Sequence, residues 1–104
     1  MKLRTFYVHE TYDNGRVARA CPMQGYHRQI NGVSVYVAKY AGVWRAYDED
    51  SGRWLVQEKT MKAAIEAAER SIARADAVGY FTSATYKGYC REFLQLRKEV
   101  GNAD

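Results

Sequence analysis

Two cysteines, Cys21 and Cys90, and two histidines, His9 and His27, are the residues of this chain whose chemistry is most readily named. Cys21 with His27, and Asp13, Asp48 or Asp50 as a third member, has the composition of a thiol nucleophile, its base and an orienting carboxylate. No nucleophile motif surrounds Cys21, and a cysteine at a strand end ordinarily serves as a small packed side chain. The four residues together carry the ligand types of a structural zinc site, but no C-x2-C or H-x3-H spacing accompanies them. The run Asp48-Glu49-Asp50-Ser51-Gly52 lacks the alternating oxygen ligands and closing glutamate of a calcium loop, and it reads as a solvated turn. A glycine-rich phosphate loop, a G-x-S-x-G elbow and an H-E-x-x-H helix are all missing. These residues point away from an enzyme and imply neither a metal nor a cofactor.

The residue types that remain are those of contact surfaces. The chain has nine tyrosines, and ten of its sixteen basic residues are arginine, the residue best suited to stacking and to forked phosphate or carboxylate contacts. Net charge is +4, unevenly spread. Lys2, Arg4, Arg16, Arg19, Arg28, Lys39 and Arg45 face only Glu10 and Asp13 in the first 45 residues, an excess that suits an anionic partner. Tyr36, Tyr40, Arg45 and Tyr47, joined by Trp54, form one candidate binding set, able to stack bases and pair phosphates. Arg91 and Lys98, on the basic side of a C-terminal helix that also carries Lys87 and Arg97, form another. The alternative for both is structural: tyrosines that stabilise neighbouring strands under a covering element, and a solvated helix face.

The elements that must position these residues follow from period and turn chemistry. Leu3–Tyr12 and Arg16–Cys21 flank Asn14-Gly15, whose residues readily take the positive φ of a tight hairpin turn, placing Glu10 opposite Arg19. Pro22 is expected to end that strand, with a loop at Gln24-Gly25. Asn31-Gly32 then joins Tyr26–Ile30 to Val33–Tyr40, and Ala41-Gly42 returns the chain as Val43–Asp48. Counting back from that turn sets Tyr40 opposite Val43, Ala38 opposite Arg45 and Tyr36 opposite Tyr47. One face collects Val33, Val35, Val37, Trp44 and Ala46 as a core; the other collects Ser34, Tyr36, Ala38, Tyr40, Arg45 and Tyr47. Strand Arg53–Glu58 has two possible registers, which exchange Trp54 and Val56 with Leu55 between faces.

Thr60 is the expected N-cap of a helix striped by Met61, Ala64, Ile65, Ala68, Ile72 and Ala75 and stopped at Gly79. Ser83 caps a second helix with an apolar side of Tyr86, Tyr89, Cys90, Phe93, Leu96 and Val100, where Gly88 is expected to loosen the first turn. Residues 101–104 read as a short polar tail. The predicted architecture is α+β, one domain over 1–104: about four to six short antiparallel strands, an N-terminal hairpin plus a three-strand meander, followed by two helices on one face. A chain of 104 residues with 47% hydrophobic and 27% charged residues is large enough for one core. No apolar run resembles a leader or a membrane span, so a cytoplasmic protein with no membrane contact is expected.

The run Gly42-Val43-Trp44-Arg45-Ala46-Tyr47, the polar turn, Gly52-Arg53-Trp54 and Lys59-Thr60-Met61-Lys62-Ala63-Ala64 is similar to the three-strand-plus-helix DNA-binding modules at the N-terminus of phage-type integrases. Small antitoxin and phage-accessory domains share this layout. The resemblance covers under half the chain and implies a sheet that enters the major groove; the acidic turn departs from the basic hairpin such a reader carries. The function expected is a small non-enzymatic binding protein that holds nucleic acid on the Tyr/Arg sheet face. The second expectation is a protein-binding regulator or inhibitor of phage or mobile-element type, meeting an acidic protein surface through the same face or the last helix. An uncovered sheet face would also suit a homodimer.

Overall fold

The computed structural model describes residues 2–103; Met1 and Asp104, the ends of the expected 1–104 domain, lie outside the described residues. Five strands, β1 (Leu3–Tyr12), β2 (Val17–Ile30), β3 (Val33–Tyr40), β4 (Val43–Asp48) and β5 (Trp54–Glu58), form an antiparallel meander in chain order. Helices α1 (Met61–Ala77) and α2 (Ala84–Ala103) follow, linked by a 3-10 turn at Tyr80–Thr82. The architecture is the expected α+β. The registers counted from the turns are those observed: Glu10 opposite Arg19, Tyr36 opposite Tyr47, Ala38 opposite Arg45 and Tyr40 opposite Val43.

Three local expectations change. Pro22 does not end a strand, and Gln24-Gly25 is not a loop: β2 runs unbroken from Val17 to Ile30, so the hairpin and the meander are one sheet. Proline is tolerated there because β2 pairs with β1 over residues 17–26 and with β3 only over 26–30, leaving one edge of Pro22 without a neighbouring strand. Gly88 does not loosen α2, and the supposed polar tail is helical through Ala103. The ambiguity in β5 resolves by a bulge: Val56 pairs with Ala46 and Trp54 with Tyr47, so Leu55 is the extra residue. Trp54 thus joins the tyrosine face, while Leu55 and Val56 both pack toward α1.

The sheet buries both faces. On one, Ile30, Val35, Val37 and Ala46 meet Ala64, Ala68 and Ile72 of α1, whose alanines let the helix lie close. Thr60 caps this helix by accepting from the Ala63 N–H at 3.1 Å, and Gly79 leaves it at φ 74°. The same face continues onto the hairpin as Tyr7, His9 and Ala20, where α2 packs; Ser83 caps α2 by accepting from the Tyr86 N–H at 3.2 Å. The other face closes on itself. Phe6 of β1 stacks on Tyr36 of β3 with ring centroids 4.5 Å apart and 4° between planes, and tilts against Tyr47 of β4. Val8, Ala38, Cys21 and Met23 complete this second core. Gly25 permits the fold-over: a Cβ there would lie 2.8 Å from Phe6 Cε1 and 2.9 Å from the Val37 carbonyl oxygen.

The curl brings β1 against the β4–β5 turn at Gly52, whose carbonyl accepts from the His9 N–H at 2.8 Å. Gly52 also receives the buried ring of Phe93 from α2; a Cβ there would run into that ring, and φ is 70°. Gly52→Ala therefore combines overpacking with left-handed strain, and chemical denaturation is expected to show a loss of roughly 2–4 kcal/mol.

The neighbouring turn gathers Asp48, Glu49 and Asp50, and the Asp50 carboxyl is held above its ordinary value of 3.8, first by partial burial and then by the charges of Asp48 and Glu49. Ionising Asp50 thus costs more in the folded chain than in the unfolded one, so its contribution to stability falls as pH rises through that value and beyond. Asp50→Asn is expected to raise the melting temperature at pH 7 and to leave it unchanged well below pH 3.8, where both states are protonated.

Candidate functional site

The tyrosine–arginine face divides in two, because the N-terminal hairpin covers half of it. Tyr36 and Tyr47, expected to contact a partner, are 6% and 2% exposed beneath Phe6 and Val8. They are core residues, and the structural alternative holds for both. Tyr40 and Trp54 lie beyond the edge of the hairpin, 39% and 49% exposed. Arg45 is held between them, its guanidinium carbon 4.2 Å from the Tyr40 ring centroid and 4.5 Å from that of Trp54. Its Nε donates to Gln57 Oε1 at 2.8 Å. Among the described residues no carboxylate lies within ion-pair distance of Arg45. Both stacking rings and the amide therefore fix the direction of the guanidinium while leaving its charge uncompensated.

This cluster borders a cleft of about 430 Å³, lined by His9, Glu10, Thr11, Arg45, Tyr47, Arg53 and Trp54. It lies where β1 and β5 approach each other past the His9–Gly52 bond without pairing. Arg53, which the sequence did not single out, is the second cation. Its guanidinium stacks 3.9 Å from the Tyr89 ring centroid and reaches Glu92 at 3.7 Å. Glu92 is bonded at 2.6 Å to His9 Nε2, which ties α2 to β1 beside the cleft.

Tyr47 lines the cleft, and its hydroxyl is buried with no hydrogen-bond partner. Burial pushes this phenol above its ordinary value, while Arg45 pulls it down without offering a bond of proper geometry. Arg45 and Glu10, the charges that act on it most, line the cleft together with Tyr47.

The cysteine and histidine readings separate. Tyr12 Oη lies 3.2 Å from Cys21 Sγ, while His27 Nε2 lies 2.7 Å from Ser34 Oγ, which in turn donates to Glu49 Oε1 at 2.7 Å. The His27–Ser34–Glu49 chain ties β2, β3 and the acidic turn together and borders neither cleft described here. A trace of it was readable in advance, since Ser34 and His27 fall on one face once the Asn31-Gly32 turn sets the register. Cys90 lines a smaller cleft of about 210 Å³ with Asp50, Leu94 and Arg97, and burial raises its thiol pKa, opposite to what a nucleophile requires. Among the described residues no group of three or more His, Cys, Asp or Glu side chains is placed to hold a metal ion. Arg91 and Lys98 are exposed on α2 and are not part of the main cleft.

No helix among the described residues is long and apolar enough to cross a membrane. In comparisons with family models, curated proteins and solved structures, none matched this chain.

Tyr47→Phe removes a buried hydroxyl with no partner and leaves the ring packing intact. Equilibrium denaturation is expected to show unchanged stability or a gain of up to ~1 kcal/mol, where loss of a satisfied hydroxyl would instead destabilise.

Proposed function

We propose that this chain is a small non-enzymatic binding protein that contacts nucleic acid through Tyr40, Arg45 and Trp54 and the arginine-lined cleft beside them. The observation that carries this reading is Arg45, stacked between two exposed aromatic rings with its charge unpaired. A guanidinium in this state suits a phosphate oxygen, and an aromatic ring beside it suits an unstacked base. The basic excess of the first 45 residues supports the same partner. The contact surface is smaller than a full sheet face, which favours one or two splayed nucleotides of a single strand over a duplex groove. Free Cys21 and Cys90 support a reducing, cytoplasmic setting.

A protein-binding regulator or inhibitor is the second reading. It is favoured by the same three residue types, since tryptophan, tyrosine and arginine are enriched in protein hot spots and an acidic partner would also pair Arg45. The exposed Arg91 and Lys98 would offer an alternative contact on α2, and self-association through Trp54 would bury the aromatic surface in a homodimer.

Titration of a fluorescent single-stranded oligonucleotide at increasing salt separates these readings. Affinity is expected to fall steeply with salt, and Arg45→Ala or Trp54→Ala to weaken binding by about tenfold or more, in line with ~1–3 kcal/mol for one stacked base. Absence of binding at low salt, with stoichiometric and nuclease-resistant recovery of one protein, would replace the first reading by the second.

A further inference from the structure

We propose that the cleft between β1 and β5 is a seat for a single nucleotide unit, with its phosphate on Arg45, Arg53 and the Tyr47 hydroxyl and its base against Trp54. The inference rests on the nucleic-acid reading of this surface and names the chemical group that the cleft selects.

Three independent features converge on it. The space, about 430 Å³, is near the lower end of the ~300–1,000 Å³ typical of small-molecule pockets, room for one nucleotide and not for a run of bases. The Tyr47 hydroxyl is buried with its proton unpartnered, although polar groups in such positions are ordinarily hydrogen-bonded. A phosphate oxygen in the cleft would accept that proton. The two lining arginines are held in place by aromatic rings, Arg45 by Tyr40 and Trp54 and Arg53 by Tyr89, and Arg53 Nε is itself buried without a partner. Both cations are thus oriented before any ligand arrives, which lowers the ordering cost of binding.

Glu10 and Thr11 refine the ligand class. A carboxylate in the cleft disfavours a bare phosphate dianion but accepts hydrogen bonds from sugar hydroxyls or a base amino group. Trp54 has one face taken by Arg45 and about half its surface open, so it offers the stacking wall that phosphate alone would leave unused. The expected order of affinity is therefore a nucleoside monophosphate above both the nucleoside and inorganic phosphate.

The 104-residue chain is titrated with adenosine monophosphate, adenosine, inorganic phosphate, an aspartate-containing acidic peptide and a short single-stranded oligonucleotide, by calorimetry with tryptophan fluorescence as a second readout. Support is tighter binding of the monophosphate than of adenosine, phosphate or the peptide. It also requires a loss of about fivefold or more in Tyr47→Phe, as expected for one hydrogen bond, and about tenfold or more in Arg53→Gln, as expected for a charge-assisted one. Circular dichroism and melting confirm that each variant is folded, and the isosteric Tyr47→Phe keeps the test decisive if Arg53→Gln unfolds. Equal binding of adenosine and its monophosphate, equal binding of the acidic peptide, no binding of the monophosphate, or no effect of Tyr47→Phe would each overturn the proposal. Oligonucleotide binding indifferent to Tyr47→Phe would overturn the seat and leave the broader nucleic-acid reading standing. Tyr47-dependent monophosphate binding without oligonucleotide binding would do the reverse.

Discussion

The stacking of Phe6 on Tyr36 is the contact from which the rest of this structure follows. β1 and β3 are not neighbours in the sheet, so their rings meet only if the sheet curls through a large angle at β2. Gly25 makes the curl sterically possible, and the apolar side chains of the hairpin drive it. A buried phenylalanine is worth roughly 3–5 kcal/mol against alanine, and offset aromatic stacking adds about 0.5–1.5 kcal/mol. Against a net domain stability of about 5–15 kcal/mol, that one contact is a large share. A flat sheet would leave Phe6, Val8, Tyr36 and Tyr47 in water, and the curled one buries all four.

Curling also creates the cleft. It brings β1 against the β4–β5 turn, where His9 and Gly52 share a backbone hydrogen bond and Phe93 of α2 settles onto Gly52. Beyond that point the two edge strands part, and the polar groups lining the gap come from both ends of the meander. Arginines at such a seam would ordinarily be mobile. Here aromatic rings restrain each of them, so the charge is presented in a set direction with little ion pairing to weaken it. Arg53 shows the same economy: one side chain bridges Tyr89 and Glu92 of α2 and lines the cleft as well.

Much of the fold was legible in the sequence because local chemistry and period agree. Asn14-Gly15, Asn31-Gly32 and Ala41-Gly42 take positive φ and set their registers, even though Ala41 pays for a conformation its side chain disfavours. Thr60, Gly79 and Ser83 bound their helices as their types predict. One departure and one open register have definite causes. Pro22 predicts a strand end because proline cannot donate to a ladder, a rule that lapses where one strand edge has no partner. The β5 register stayed open because a bulge at Leu55, invisible to a period of two, decides it. Of the predicted contact set, Tyr40 and Trp54 are exposed with the half-buried Arg45 between them, while Tyr36 and Tyr47 belong to the core. A signal for that was present: Phe6, Val8, Cys21 and Met23 fall on one face of the hairpin, and an apolar face needs a partner.

The sequence by itself determined the hairpin turns and the faces they set on β3 and β4, since those relations depend on neighbours within a few positions; the continuity of β2 through Pro22 and the faces of Trp54 and Leu55 were not among them. It also placed the start of each helix and separated the valine face of β3 from its tyrosine face. Only the tertiary structure decided which tyrosines meet solvent, that Arg53 joins Arg45, and that Tyr47 lines a cleft with its buried hydroxyl unmatched. Those outcomes depend on how far a five-stranded sheet curls before two distant apolar surfaces touch. That angle is set by the packing of Phe6 against Tyr36 across β2, a long-range contact that no local pattern encodes.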